Sequence, residues 1–238
     1  MKRIFIFMTT GLILFGISSC SHFESQGTKI ISVIEDRTET HFKIRPKPED
    51  ISTHLAMENN LWRGTIFRYT TVSEIDYNQQ KEIVLQAENQ LTGNSYLRKK
   101  KIQDFKNEIT AMLEYPRDSL EQEQSAIFLP LIRELIQLSE MEGSEKELIV
   151  FSDLKENDSE WFSFYRSSNL KTLQENPEEA LELFLSRVPE GATFNQVSIH
   201  IIYEPLDAQD NREFRLMIKL YQHVFRELGV PFKISANL

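Results

Sequence analysis

The chain has 238 residues, of which 27 are Lys or Arg and 36 are Asp or Glu, giving a formal net charge of −9. A surface of that sign repels nucleic-acid phosphates and anionic headgroups, which argues against a nucleic-acid-binding role. Cys20 is the only cysteine, so an internal disulfide, a Cys-rich zinc site and a catalytic thiol pair are all excluded.

Lys2 and Arg3 precede an apolar run, Ile4 to Ile17, that is short for a spanning helix and ends promptly. Residues 1–19 therefore read as a signal peptide. The following Ile17-Ser18-Ser19-Cys20 resembles the lipobox of bacterial lipoproteins, in which cleavage precedes a lipid-modified Cys, so Cys20 is the expected acceptor of palmitate-like acyl chains. A single chain binds membranes only marginally, and stable anchoring implies two or more. Ser21 stands where Asp would resemble an inner-membrane retention signal, which favours the outer membrane. Loss of Lys2 and Arg3 with the leader leaves 25 basic and 36 acidic residues, a formal net of −11. Residues 20–28 form the lipidated Cys and a short tether, and residues 29–238 form one domain.

The elements follow in readable order. Ile30 to Ile34 predicts the first strand, and Pro46 and Pro48 break the chain before a helix over about 49–58. Gly64 to Val72 and Lys81 to Ala87, joined by Asp76-Tyr77-Asn78, predict an antiparallel hairpin. Ile102, Phe105, Ile109 and Leu113 recur at helical spacing in 97–114, and the denser set from Ile127 to Leu138 predicts a helix packed on two sides. Gly143 is expected to end that helix in a left-handed turn before a strand at Leu148 to Phe151.

Asn176-Pro177-Glu178-Glu179 predicts a helix start with Asn176 as the cap. Val197 to Tyr203 is the fifth strand. Asp210 is expected to cap the last helix, Gly229 to stop it, and Phe232 to Ser235 to form the sixth strand. The alternation predicts an α/β fold: a doubly wound, mostly parallel six-stranded sheet with one antiparallel edge strand.

Asp36-x-Thr38-x-Thr40 ends the first strand with a carboxylate and two hydroxyls, and Ser152-Asp153 ends the fourth. Hard oxygen ligands at such spacing suit a divalent cation, and parallel strands bring both clusters to one sheet edge. In these residues the chain resembles the von Willebrand factor A-type domain, whose metal-ion-dependent adhesion site has Asp-x-Ser-x-Ser after the first strand. The resemblance spans roughly Lys29 to the C-terminus. It implies Ser125 as the second element, Asp153 as the third, and Mg²⁺ (or Mn²⁺ or Ca²⁺) held by Asp36, Thr38, Thr40, Ser125 and Asp153. Three positions depart from the family: Ser125 replaces a Thr after Gly, Leu154 follows Asp153 where Gly is frequent, and Glu39 adds a charge.

Trp161, Phe164 and Arg166 lie in an aromatic loop after Asp153 and are the expected partner contacts, since aromatics with Arg anchor interfaces. Glu156 and Asp158 read as solvated loop acids, and Arg98-Lys99-Lys100-Lys101 as a solvated helix face. No His-Glu-x-x-His, Gly-x-Ser-x-Gly or Gly-rich phosphate loop is present, so no enzyme signature is found. The expected function is protein binding in the bacterial cell envelope by a membrane-tethered module. A metal-dependent envelope hydrolase and a metal-free degenerate scaffold stay open as alternatives.

Overall fold

A computed structural model describes residues 27–38, 42–72, 79–114 and 126–238. The first strand, β1 (Lys29–Asp36), is followed by α1 (Pro48–Leu55), then β2 (Thr65–Val72) and β3 (Gln79–Leu85). Next come α2 (Ser95–Leu113), α3 (Phe128–Glu140), β4 (Glu145–Phe151), α4 (Ser167–Glu175) and α5 (Pro177–Leu185). The chain continues through β5 (Val197–Ile202) and α6 (Ala208–Glu227) to β6 (Phe232–Ser235). The sheet order is β3-β2-β1-β4-β5-β6, with every pair parallel except β2 and β3. The α/β fold is thus mostly parallel with one antiparallel edge strand.

Both faces of the sheet are covered, which is why the central strands are apolar without alternation. Ile30, Ile34, Leu148, Val150, Ile199 and Ile201 face the layer holding α3, α5 and α6. Ile31, Val33, Ile149 and Phe151 face the layer holding α1 and α2. Chain order reverses direction across the sheet between β1 and β4, and the C-terminal ends of these two strands flank the crevice where open α/β sheets present their sites.

Local chemistry departs from the sequence reading at several caps. Asn94 caps α2 by accepting from the Tyr96 and Leu97 amides. The cap of α6 is Asp207, not Asp210, with its side chain accepting from the Gln209 and Asp210 amides. Asn176 precedes Pro177 but makes no side-chain cap bond, and it divides α5 from the unforeseen α4. Short amphipathic turns like α4 carry too few apolar positions for periodicity to declare them. Gly229 (φ +69°) does stop α6 in the left-handed region. Gly143 instead serves close packing: α3 ends at Met141 in extended conformation, and a Cβ on Gly143 would lie 2.7 Å from Ile30 Cδ1.

Candidate functional site

Asp36 is buried at the C-terminal end of β1. Its Oδ1 accepts from the Thr38 amide (3.0 Å) and hydroxyl (2.6 Å), so the side chain folds the exit of the strand onto itself. From β4, the Ser152 hydroxyl donates to Asp36 Oδ2 at 2.9 Å and accepts from the Leu154 amide at 2.9 Å. Asp36, Thr38 and Ser152 therefore form one hydrogen-bonded bridge across the crevice. Glu35, one residue earlier, sits on the opposite face and is matched by Arg37 at 3.1 Å and Arg45 at 3.0 Å.

Asp153 is also buried, and its Oδ1 accepts from the Lys155 amide at 2.9 Å. The Lys155 ammonium stands 3.3 Å from Asp153 Oδ2, 3.0 Å from Asp210 and 3.0 Å from Glu213. Burial works against that ammonium, but Asp153, Glu213 and Asp210 hold it charged well above the usual lysine range. Asp210 further accepts from the Tyr203 hydroxyl (2.6 Å) and the Leu206 amide (2.8 Å), tying the start of α6 to the loop after β5.

Between these two corners lies Glu156, fully buried rather than solvated. Its Oε2 accepts from the Ile127 and Phe128 amides at 3.0 and 2.8 Å, so a loop carboxylate caps α3, whose own preceding residue, Ile127, supplies no side-chain cap. Among the described residues, Oε1 has no hydrogen-bond partner. Burial pushes the acid up to about 8; the two amides oppose this, and the charges of Asp158 and Asp36 reinforce it. Asp158 is buried too, accepting from the Glu160 amide at 2.7 Å. The hydroxyl of Tyr221, on α6, is buried without a hydrogen-bond partner among the described residues. Desolvation raises it well above the tyrosine range, with further repulsion from Glu156, Asp153 and Asp36.

Leu154 adopts φ +62°, a left-handed conformation costing a non-glycine residue roughly 1 kcal/mol or more. Its side chain is completely buried, and that burial offsets the strain. The turn places Asp153 and Glu156 on the same edge.

The sequence-derived residues divide. Asp36, Thr38 and Asp153 lie at this edge; Thr40 and Ser125 fall outside the described residues. Among the described residues, no group of three or more His, Cys, Asp or Glu side chains is arranged to hold a metal. An ion would therefore depend on hydroxyls as well as Asp36, while Asp153 is turned to Lys155.

Trp161 and Phe164 are not available as partner contacts, because both are buried. An antiparallel bridge between Asn157 and Ser163, with the Phe164 amide donating to Glu156 O at 2.8 Å, folds the loop inward. Trp161 and Phe162 then pack on Phe184 with ring centroids 4.8 and 5.0 Å apart. Arg166 is exposed and donates to Ser159 O at 2.8 Å, beside exposed Tyr165. The Glu156 cap was missed because its partners lie 28 and 29 residues earlier in the chain; the one available signal was an uncapped, apolar start to α3.

No family model and no curated protein matches the chain. Among solved structures it is similar to the PilB minor pilin from Streptococcus sanguinis, at TM-score 0.47 and 11% identity over 89% of this chain and 57% of that one. A D319A mutant of the same pilin gives TM-score 0.47 and 10% identity over 91% and 59%. The chain thus spans well under two thirds of the pilin. An aerotolerance-related membrane protein from Bacteroides fragilis is similar at TM-score 0.41 and 10% identity over 87% of this chain and 91% of that one. The pilus adhesin SpaC from Lactobacillus rhamnosus GG gives TM-score 0.39 and 12% identity over 87% and 28%. These neighbours are bacterial surface or membrane proteins; likenesses this loose carry no argument about function.

Proposed function

We propose that this chain is a von Willebrand A-like binding module of the bacterial cell envelope, tethered to the membrane through Cys20 and meeting a protein partner at the β1–β4 edge. The observation that carries the reading is the concentration of buried acids, Asp36, Glu156 and Asp158, around the start of α3 at the crevice of the sheet. Burial and the neighbouring acids disfavour the charged form of Glu156, and a bound cation would favour it. Asp36 and Thr38, with Thr40 and Ser125 as the family resemblance implies, would hold a Mg²⁺, Mn²⁺ or Ca²⁺ ion through hard oxygens. A divalent ion held there would supply a Lewis-acidic contact for a partner carboxylate. Asp36 and Thr38 bind and orient, and no residue at the edge is given a catalytic step.

A second reading has its own observation. The Lys155 ammonium already pairs with Asp153, Asp210 and Glu213, as a metal-free scaffold would require. Calorimetric titration of the full chain with each cation separates the two. Saturable binding of at least one ion, lost in Asp36→Ala and retained in Lys155→Met, supports the cation site. No heat with any ion supports the scaffold, and metal-dependent hydrolysis of phosphoester or peptide substrates that vanishes in Asp36→Ala would return the chain to the enzymes.

A further inference from the structure

The opposite end of the sheet carries a surface that the proposed edge leaves unused. β3 runs antiparallel, so Leu85 lies beside Thr65 at the N-terminal ends of the parallel strands. The turn after it and the first turn of α2 present Leu91 (74% exposed), Tyr96 (76%) and Leu97 (53%), three of the most exposed large apolar side chains among the described residues. Lys99 and Lys100 follow Tyr96 at three and four residues, on the same side of the helix. Both are exposed, and no carboxylate among the described residues pairs with them. Glu88, the acid on the turn before α2, is taken by Lys101 at 2.9 Å and Arg98 at 3.4 Å, and Asp104, four residues after Lys100, makes no ion pair with it.

This surface is held rigidly. Arg98, 1% exposed, donates to Leu61 O, Gln86 O and Arg63 O at 2.7, 2.7 and 2.6 Å. Gly93 lies against the Trp62 ring, which leaves no room for a Cβ. The same joint receives the start of the described chain, since Arg63 Nε donates to Gly27 O at 2.7 Å. Two hydrogen-bonded residues thus connect Gly27 to the turn that bears Leu97. Cys20 precedes Gly27 by seven residues, a reach of at most about 25 Å for a fully extended chain.

We propose that Leu91, Tyr96 and Leu97 insert into the interfacial region of an anionic bilayer, with Lys99 and Lys100 on its headgroups, so that the domain rests on the membrane by this end and points the β1–β4 edge away. An amphipathic tyrosine and leucines beside lysines suit the headgroup boundary, and local charge decides the contact within a Debye length whatever the net charge of the whole chain. The tether makes the contact intramolecular, so a patch too small to bind alone is enough to set orientation. The proposal rests on the membrane tether proposed above.

The test uses the full chain carrying Cys20→Ala, whose uncleaved apolar leader keeps it at the bilayer whether or not Cys20 accepts a lipid. A bimane fluorophore is attached at Leu97→Cys or, at the opposite end, Leu206→Cys. Vesicles contain phosphatidylethanolamine, phosphatidylglycerol and brominated acyl chains. The expected result is strong quenching at position 97 and little at 206, with the 97 signal falling in phosphatidylcholine vesicles. Lys99→Glu and Lys100→Glu should each lower the membrane-contact equilibrium by about fivefold or more. Flotation on the same samples checks that the leader holds the chain at the bilayer, and fatty-acid labelling of the wild-type chain reads the Cys20 tether separately. Floating with equal or absent quenching at the two positions overturns the surface alone, and absent labelling overturns the tether. A disulfide dimer formed through Leu97→Cys with no quenching would assign the face to a second copy and overturn the membrane contact.

Discussion

Two carboxylates on the same strand–loop segment, half-buried Glu147 within β4 and buried Glu156 just beyond it, are driven in opposite directions. Burial alone would raise Glu147, but hydrogen bonds and charges from His200 and His54 bring it down to about 2. The His54 bond is 2.6 Å long, and His200 Nδ1 stands 3.7 Å away. Burial raises Glu156 to about 8, because its partners are backbone amides and its charged neighbours are acids. The lower half of the sheet closes its charges internally, and the upper edge leaves one open. The contrast separates a structural joint from a candidate site.

The largest expected effect tests the claim that the lower end is a closed joint. Arg98→Met removes a buried guanidinium that serves three carbonyls, and should cost about 3–5 kcal/mol in chemical denaturation with an unchanged m-value. A loss below about 1 kcal/mol would show that these carbonyls find other donors.

The two acids should respond to pH with opposite signs. Glu156, raised from 4.5 to about 8, binds its proton more tightly when folded, so its contribution is full below about pH 4.5 and is lost as pH rises to about 8. Glu156→Gln keeps an oxygen for the Ile127 and Phe128 amides and cannot ionise. Relative to wild type it should gain stability across that window by up to about 1.4 kcal/mol per pH unit. An unchanged difference between pH 5 and 8 would mean that a neighbour stabilises the Glu156 charge.

Glu147, depressed from 4.5 to about 2, contributes stability above about pH 4.5 that is lost as pH falls toward 2. Glu147→Gln should therefore cost on the order of 2 kcal/mol at pH 6 and little at pH 2, after allowance for partial solvent screening. A cost that persists at pH 2 would assign Glu147 a packing role instead.

The smallest effect sharpens the account of the upper turn. Leu154→Gly relieves the left-handed backbone by about 1 kcal/mol but empties a fully buried leucine site worth about 2–5 kcal/mol. The cavity wins, and a net loss of roughly 1–4 kcal/mol in thermal or chemical unfolding is expected. A gain would show that strain dominates there.

Strands and long helices were legible because their apolar runs and 3.6-residue spacing record burial directly, as in Ile30 to Ile34 and Ile102, Phe105 and Ile109. The strand-end residues Asp36 and Asp153 were also legible, since α/β topology brings the ends of β1 and β4 together. The lysine run was read as a solvated face, whereas Arg98 is among the largest fully buried side chains. Charge in a sequence says nothing of which carbonyls lie within reach of a five-donor guanidinium. Trp161 and Phe164 illustrate the reverse, for an aromatic loop reads alike whether it turns outward to a partner or inward onto Phe184.

By itself, the sequence determined the α/β alternation, the sheet edge where β1 and β4 end, and the stop at Gly229, because each follows from period, propensity or a backbone conformation local to a few residues. Tertiary structure alone decided that Glu156 caps α3, that Lys155 answers Asp153, Asp210 and Glu213, and that Arg98 locks the lower loops. Apart from the local Asp153–Lys155 pair, those contacts join residues about 30 to 60 positions apart, or loops that meet only once the sheet has formed. A carboxylate's charge state is then set by burial and by whichever amide, acid or histidine the fold places beside it.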